Sequence, residues 1–192
     1  MRKVIAAAAF FASTIVAANA QANEFSAQIS AFFESNIKPK LTDPVVVEAI
    51  KRQNGEHGGL VDSDIESMDQ TWRAEAKAGG GSLIDKVMTN ELSAFLKQIK
   101  AAHPDAVTEV FIMDNRGLNV GQSDVTSDYN QGDESKWQKT YAVGPSAIFI
   151  DDVEFDESTE SFQSQVSGTI VDPATGEAIG AITVGLNVEN LL

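Results

Sequence analysis

Residues 107–122 read VTEVFIMDNRGLNVGQ, and the fold is decided there. Val107 to Met113 is rich in β-branched and aromatic residues, the composition of a strand. Asp114-Asn115-Arg116-Gly117 is turn chemistry: Asp and Asn side chains bond their own backbone, and Gly tolerates the left-handed conformation. Leu118 to Gln122 then returns as the second arm of a hairpin. Before this stretch the apolar residues recur with a helical period; after it they recur as strands do.

Working forward, Ser123 to Gln138 is polar and reads as a loop with a short helical turn. Ala147 to Ile150, Ser161 to Val171 and Ala178 to Asn187 are three more strands, the last two joined by Asp172-Pro173-Ala174-Thr175-Gly176. Working backward, Phe25, Ile29, Phe32, Phe33 and Ile37 form the buried stripe of one helix over Glu24 to Asn36, which Pro39 interrupts. Asp43-Pro44 caps a second helical piece carrying Val45, Val46, Ala49 and Ile50, and Gly55 to Gly59 ends it. Ser63-Asp64-Ile65-Glu66 is a capping box opening a helix over Asp64 to Lys77. After Gly79-Gly80-Gly81, Ser82 caps one further helix through Ile84, Met88, Leu92, Phe95, Leu96 and Ile99, closing before Pro104. Helices followed by a five-strand antiparallel meander predict an α+β domain with a single sheet.

The chain of 192 residues carries 28 acidic against 14 basic side chains, a formal charge of −14, and no cysteine. That length suits one domain. Such charge argues against binding nucleic acid, which needs a basic footprint. Without cysteine there is no disulfide framework, thiolate metal site or thiol nucleophile. Arg2 and Lys3, the uncharged run Val4 to Val16 and the small-residue pattern Ala18-Asn19-Ala20 read as a secretory signal peptide. Ala20-Gln21-Ala22 offers a second cut, so residues 1–22 are set aside and 23–192 form the domain. The apolar run falls short of the ~20 residues that span a bilayer. An exported, acidic, periplasmic protein is expected.

Three stretches together resemble a known family. They are Val110-Phe111-Ile112-Met113-Asp114-Asn115-Arg116-Gly117; Phe149-Ile150-Asp151-Asp152-Val153 with Asp156-Glu157-Ser158-Thr159; and Val171-Asp172-Pro173 with Gly176-Glu177-Ala178-Ile179-Gly180-Ala181-Ile182. In order and spacing they are similar to the single Cache domain, the PAS-like extracytoplasmic sensor module also called PDC. The resemblance implies a long N-terminal helix and further helices packed on one five-stranded PAS-like sheet. It also implies reversible binding of a small metabolite, often a carboxylate or amine, under the segment that crosses the sheet after its second strand. Receptors of this type continue into a transmembrane helix, whereas this chain ends at Leu192. A freestanding periplasmic binder is therefore expected, with a membrane receptor or kinase as partner.

The residues themselves supply candidates. Asp128, Tyr129, Gln131, Trp137, Lys139 and Tyr141 mix aromatic walls with directional polar groups, as small-molecule pockets do. Trp72 and Arg73, with Asp69 one helical turn earlier, could hold a carboxylate through a guanidinium fork; the alternative is an ordinary exposed helix pair. A ligand carrying a carboxylate is expected on this ground. Trp137 and Tyr141 have a second reading too, as aromatics that plug the sheet. Asp124, Asp128, Asn130, Asp133 and Glu134 are oxygen donors, but positions six and twelve counted from Asp128 are Asp133 and Lys139, which fails the EF-hand pattern. His57 and His103 lack metal-ligand spacing. Gly79 to Ser82 lacks a P-loop lysine, and Ser146 is no nucleophile elbow. No metal, cofactor or catalytic residue is expected. A competing reading is an interaction module that dimerises or docks through its N-terminal helix, since Phe25, Phe32 and Phe33 give that helix much apolar surface.

Overall fold

The computed structural model describes residues 23–156 and 161–191. The expected signal peptide lies outside the described residues, as do Glu157, Ser158 and Thr159 of the second motif.

Helix α1, Ser26–Phe32, runs into a π-helical turn, Phe33–Ile37, and a 3-10 turn, Lys38–Lys40. The single N-terminal helix expected from the sequence is thus a composite. Ile29, Phe33 and Ile37 follow one another at four-residue steps, which drift around a helix of 3.6 residues per turn. Widening the turn keeps all three on the core side, where their exposures are 0%, 1% and 0%. Each contributes about 1.5–3 kcal/mol by burial. Phe25 and Phe32 also pack against the core. Both are only partly buried, so part of the apolar surface that motivated a dimer is spent on the core.

Helix α2, Pro44–His57, opens as expected, with Asp43 Oδ1 accepting from the Val45 amide at 2.9 Å. Helix α3, Asp62–Ala78, starts two residues early, and Asp64 rather than Ser63 takes the orphan amide, that of Val61, at 3.0 Å. The one helix expected through Ser82 to Ile99 is two, α4, Ser82–Met88, and α5, Glu91–Ala102. Asn90 makes the corner: its Oδ1 accepts from the Ser93 amide and its Nδ2 donates to the Val120 carbonyl, both at 2.8 Å. The start of α4 is capped by the Glu75 carboxylate, which accepts from the Leu83 and Ile84 amides at 2.9 Å, and not by Ser82.

The strands are β1, Val107–Met113; β2, Asn119–Gln122; β3, Ile148–Ile150; β4, Glu154–Asp156; β5, Ser161–Val171; and β6, Ala178–Asn187. A short helix α6, Ser135–Gln138, lies in the crossing segment between β2 and β3. All pairings are antiparallel, in the order β2-β1-β6-β5-β3, with β4 also on β5. The α+β class with helices on one antiparallel PAS-like sheet is as expected, but the sheet is not a meander and has a sixth strand. Residues 179–186 of β6 are all buried. A strand covered on both faces belongs in the middle of a sheet, so β6 inserts between β1 and β5.

One face of the sheet, with Val110, Ile112, Val166, Ile182 and Val184, packs on α1, α2 and α5 and makes the main core. There Gly168 meets the Phe33 ring, and an added Cβ would lie 2.6 Å from it. The opposite face presents Phe111, Met113 and Ala181 to the crossing segment. A second cluster, built on Trp72, Ile84, Val87, Leu118 and Tyr129, sits under α3 and α4.

The β1–β2 turn is held by Asp114, which is 0% exposed. Its Oδ1 accepts from the Arg116 and Leu118 amides at 2.8 and 2.9 Å, while Gly117 takes φ +82°. Its Oδ2 accepts from His57 Nδ1 at 2.8 Å and Gln53 Nε2 at 2.9 Å, which ties the turn to α2. Removing one partner of a buried pair strands the other, at a cost of about 3–5 kcal/mol. Asp114→Ala should lower the unfolding free energy by that amount in urea titrations; a loss within 1 kcal/mol, roughly that of an ordinary surface substitution, would show that the pair does not hold the hairpin.

Candidate functional site

The crossing segment is strapped at both ends. At its start Asp69 Oδ1 accepts from the Tyr129 and Asn130 amides at 2.8 and 3.1 Å, and Trp72 Nε1 donates to the Thr126 carbonyl at 2.9 Å. At its end Trp137 Nε1 donates to the Asp114 carbonyl at 3.2 Å. Trp137 stacks on Tyr141, with ring centroids 5.2 Å apart, over Phe111, Met113 and Ala181.

These straps divide the eight residues expected at one site into two groups. Trp72 is 0% exposed and stacks on Tyr129, itself 2% exposed, in the α3–α4 cluster. Arg73 donates to Asp69 at 2.6 Å and Asp128 at 3.2 Å. Gln131 is buried, donates to the Asp128 carbonyl and accepts from Lys136 Nζ at 3.2 Å. Trp137 and Tyr141 cover the outer face, and Lys139 Nζ lies 4.1 Å from the Phe149 ring centroid. Trp72, Tyr129 and Arg73 therefore do not wall a pocket with Trp137 and Tyr141. The reason is distance along the strap: residues 126–130 are bound to α3, while Trp137 is bound to the hairpin turn. Burial, with the Asp114 charge, raises the Tyr141 pKa. Burial raises that of Tyr129 further, helped by Asp114 and Glu56.

Beyond α6 the outer face opens into a cleft of about 320 Å³. Among the described residues five carboxylates line it, from Glu109, Glu134, Asp151, Asp152 and Glu154, with Gln163, Gln165 and the ring of Phe155. Among the described residues its one cation is Lys136, which pairs with Glu134 at 2.8 Å, lies 5.4 Å from the Phe111 ring centroid and is only 13% exposed. Glu109 accepts from Gln165 at 2.8 Å. The size falls at the lower end of small-molecule sites, roughly 300–1,000 Å³. None of these lining residues was among the eight. A signal was present: β5 alternates Gln163, Gln165, Ser167 and Thr169 on the face where β1 carries Phe111 and Met113, marking a wet half of that face. Among the described residues no group of three or more His, Asp or Glu side chains is placed to hold a metal ion, and no helix is long and apolar enough to cross a membrane.

No protein-family model matches the chain, and no curated protein matches it. Solved structures do. The sensor domain of the V. cholerae histidine kinase DctB is similar at 11% identity and a TM-score of 0.48, over 87% of this chain and 53% of that one. The sensory domain of the Campylobacter jejuni chemoreceptor Tlp3 with isoleucine bound shows 14% identity and a TM-score of 0.40, over 86% and 65%. The E. coli DcuS sensor domain shows 14% and 0.38, over 67% and 90%. The chain thus spans between about half and two thirds of the DctB and Tlp3 domains. All three of those proteins are sensor domains.

Asp69 carries the first strap. Burial pushes its carboxyl up, but hydrogen bonds from Arg73 and from the Asn130 and Tyr129 amides, with the guanidinium charge, outweigh burial and hold it below 3.8. A depressed carboxyl contributes stability that is present above its unfolded-state value and lost as pH falls through its folded value. Asp69→Asn should destabilise the protein at neutral pH, and its deficit should shrink as pH drops below 3.8. Urea unfolding of both proteins across that range checks this; a deficit independent of pH would mean that the clamp does not act through charge.

Proposed function

We propose that this chain is a small-molecule binding module of the extracytoplasmic sensing type, exported by residues 1–22, that binds its ligand in the outer-face cleft and catalyses no reaction. The ligand carries an ammonium group. The observation that carries this reading is the lining of the cleft, in which the described residues place five carboxylates and two amides around one lysine already paired with Glu134. Low-dielectric walls focus such a field on a cation, and Phe155 supplies an apolar contact for a short aliphatic part. A purely anionic ligand depended on Arg73, whose guanidinium is tied to Asp69 and Asp128. A zwitterion satisfies both signs: its ammonium lies among Glu109, Asp151 and Glu154, and its carboxylate meets Lys136. Periplasmic location rests on the signal-peptide pattern, and a membrane receptor or kinase remains the natural recipient of the binding event.

Thermal shift assays with millimolar amino acids, primary amines and dicarboxylates test the reading. Amino acids or amines should raise the melting temperature, since a ligand at a hundredfold excess over Kd adds about 2.7 kcal/mol. Asp151→Asn with Glu154→Gln should weaken that binding by about tenfold or more, because a charged hydrogen bond contributes about 1.5–3 kcal/mol and 1.4 kcal/mol is a factor of ten. Stabilisation by dicarboxylates alone would restore the anionic reading, and no shift with any of the three classes would remove the cleft as the site.

A further inference from the structure

We propose that the floor of the outer cleft selects a primary ammonium over a methylated one, with Glu109 as the charged acceptor and Gly185 as the position that must stay without a side chain. This rests on the reading of that cleft as the ligand site. The floor lies where the central strand β6 is bare. Gly185 pairs with Glu109 of β1 on one side and with Gln165 of β5 on the other, and it is buried between them. The register of β1 on β6 slips between Val107 and Glu109, so Thr108 and Glu109 together face the one glycine. A bulge of this kind re-aims side chains and recurs beside functional sites.

Both side chains reach across β6 to β5. Thr108 Oγ1 donates to Gln163 Oε1, and Gln165 Nε2 donates to Glu109 Oε1, each at 2.8 Å. Glu109, Gln163 and Gln165 all line the cleft. A Cβ at residue 185 would stand 2.5 Å from Thr108 Oγ1, 2.8 Å from Glu109 Cγ and 3.2 Å from Glu109 Oε1. Those distances would force the Glu109 side chain off its line to Gln165. Gly185 is thus a positioning residue, a strand glycine whose missing side chain lets β1 and β5 be bridged over it.

The bridge presents acceptors to the cleft. A carboxylate accepts at about four positions, so the bond from Gln165 leaves Glu109 with capacity. A carboxylate cannot donate, so the Gln165 nitrogen faces Glu109 and its oxygen, a further acceptor, turns away. The charge of Lys136 is matched by Glu134 at 2.8 Å and does not cancel that of Glu109. A primary ammonium brings three N–H donors to this floor, and a trimethylated one brings none. Sites built from buried hydrogen-bonding groups reject analogues that leave those groups unpaired. Methylated cations are held instead by cages of several aromatic rings. Among the described residues Phe155 is the one ring lining the cleft, and it is 54% exposed, so cation–π attraction does not compensate.

The test is calorimetric titration of the mature chain, at constant ionic strength, with butylamine and with alanine, each against its N-trimethyl derivative. The better-bound primary ammonium should exceed its trimethyl counterpart by about tenfold or more. Glu109→Gln preserves size and removes the charge; it should weaken the primary ammonium by about tenfold and narrow the ratio between the two derivatives. Gly185→Ala should narrow the same ratio, with its melting temperature showing that it folds. Gln165→Leu, which adds no atom beside β6, should do so as well and serves if alanine at 185 prevents folding. A merely structural role would leave the ratio unmoved. Equal affinity for a primary ammonium and its trimethyl derivative overturns this inference and leaves the cleft as the ligand site. Absence of binding by all four compounds removes the cleft as an ammonium site and this inference with it. A ratio unchanged in Glu109→Gln, or in both positioning variants, overturns the inference too.

Discussion

A carboxylate held away from water at the tip of a hairpin organises this molecule. Asp114 is fully buried, and a buried charge is tolerated only when it is paired and fully hydrogen-bonded. Four donors meet that demand: His57, Gln53 and the amides of Arg116 and Leu118. Each belongs to an element that must be in place for the site to be dry. The turn, helix α2 and the sheet are thus coupled through one side chain, and the backbone carbonyl of the same residue receives Trp137. Such a network favours a single arrangement of α2 against the hairpin, because any other leaves several polar groups without partners.

The crossing segment inherits its course from that anchor and from α3. Asp69, Trp72 and Arg73 take hold of residues 126–130, and Trp137 locks the other end. Between the locks, Trp137 and Tyr141 seal the β1 half of the outer face. The β5 half remains wet because its outward side chains are amides and hydroxyls, and the cleft forms there. Residues with the chemistry of a binding site thus also fasten the crossing segment, while the cleft is lined by acidic side chains that look unremarkable in a chain so rich in them.

Among the openings of the described residues, two differ sharply in lining. The outer cleft is surrounded by carboxylates and holds one paired lysine. A smaller cavity on the helical side is lined by Arg52, Lys86 and Glu56 with the ring of Tyr129. The net charge of −14 describes neither, since local fields are set by which few side chains converge and how much water separates them.

The sequence by itself determined what depends on neighbours along the chain. The hairpin at 107–122, the bounds of β5 and β6, the Asp43 cap and the α+β order were legible because periodicity and turn chemistry act over a few residues. The π-helical turn at Phe33 and the break at Asn90 were not, because each answers to the sheet: one turns three side chains inward, and the other is pinned to the Val120 carbonyl. Tertiary structure alone decided that β6 lies between β1 and β5, that His57 meets Asp114 across 57 positions, and that Trp72 stacks on Tyr129 rather than facing Trp137. Such pairings are selected by burial and by the need of every buried polar group for a partner, and those constraints operate only once distant segments have been packed together.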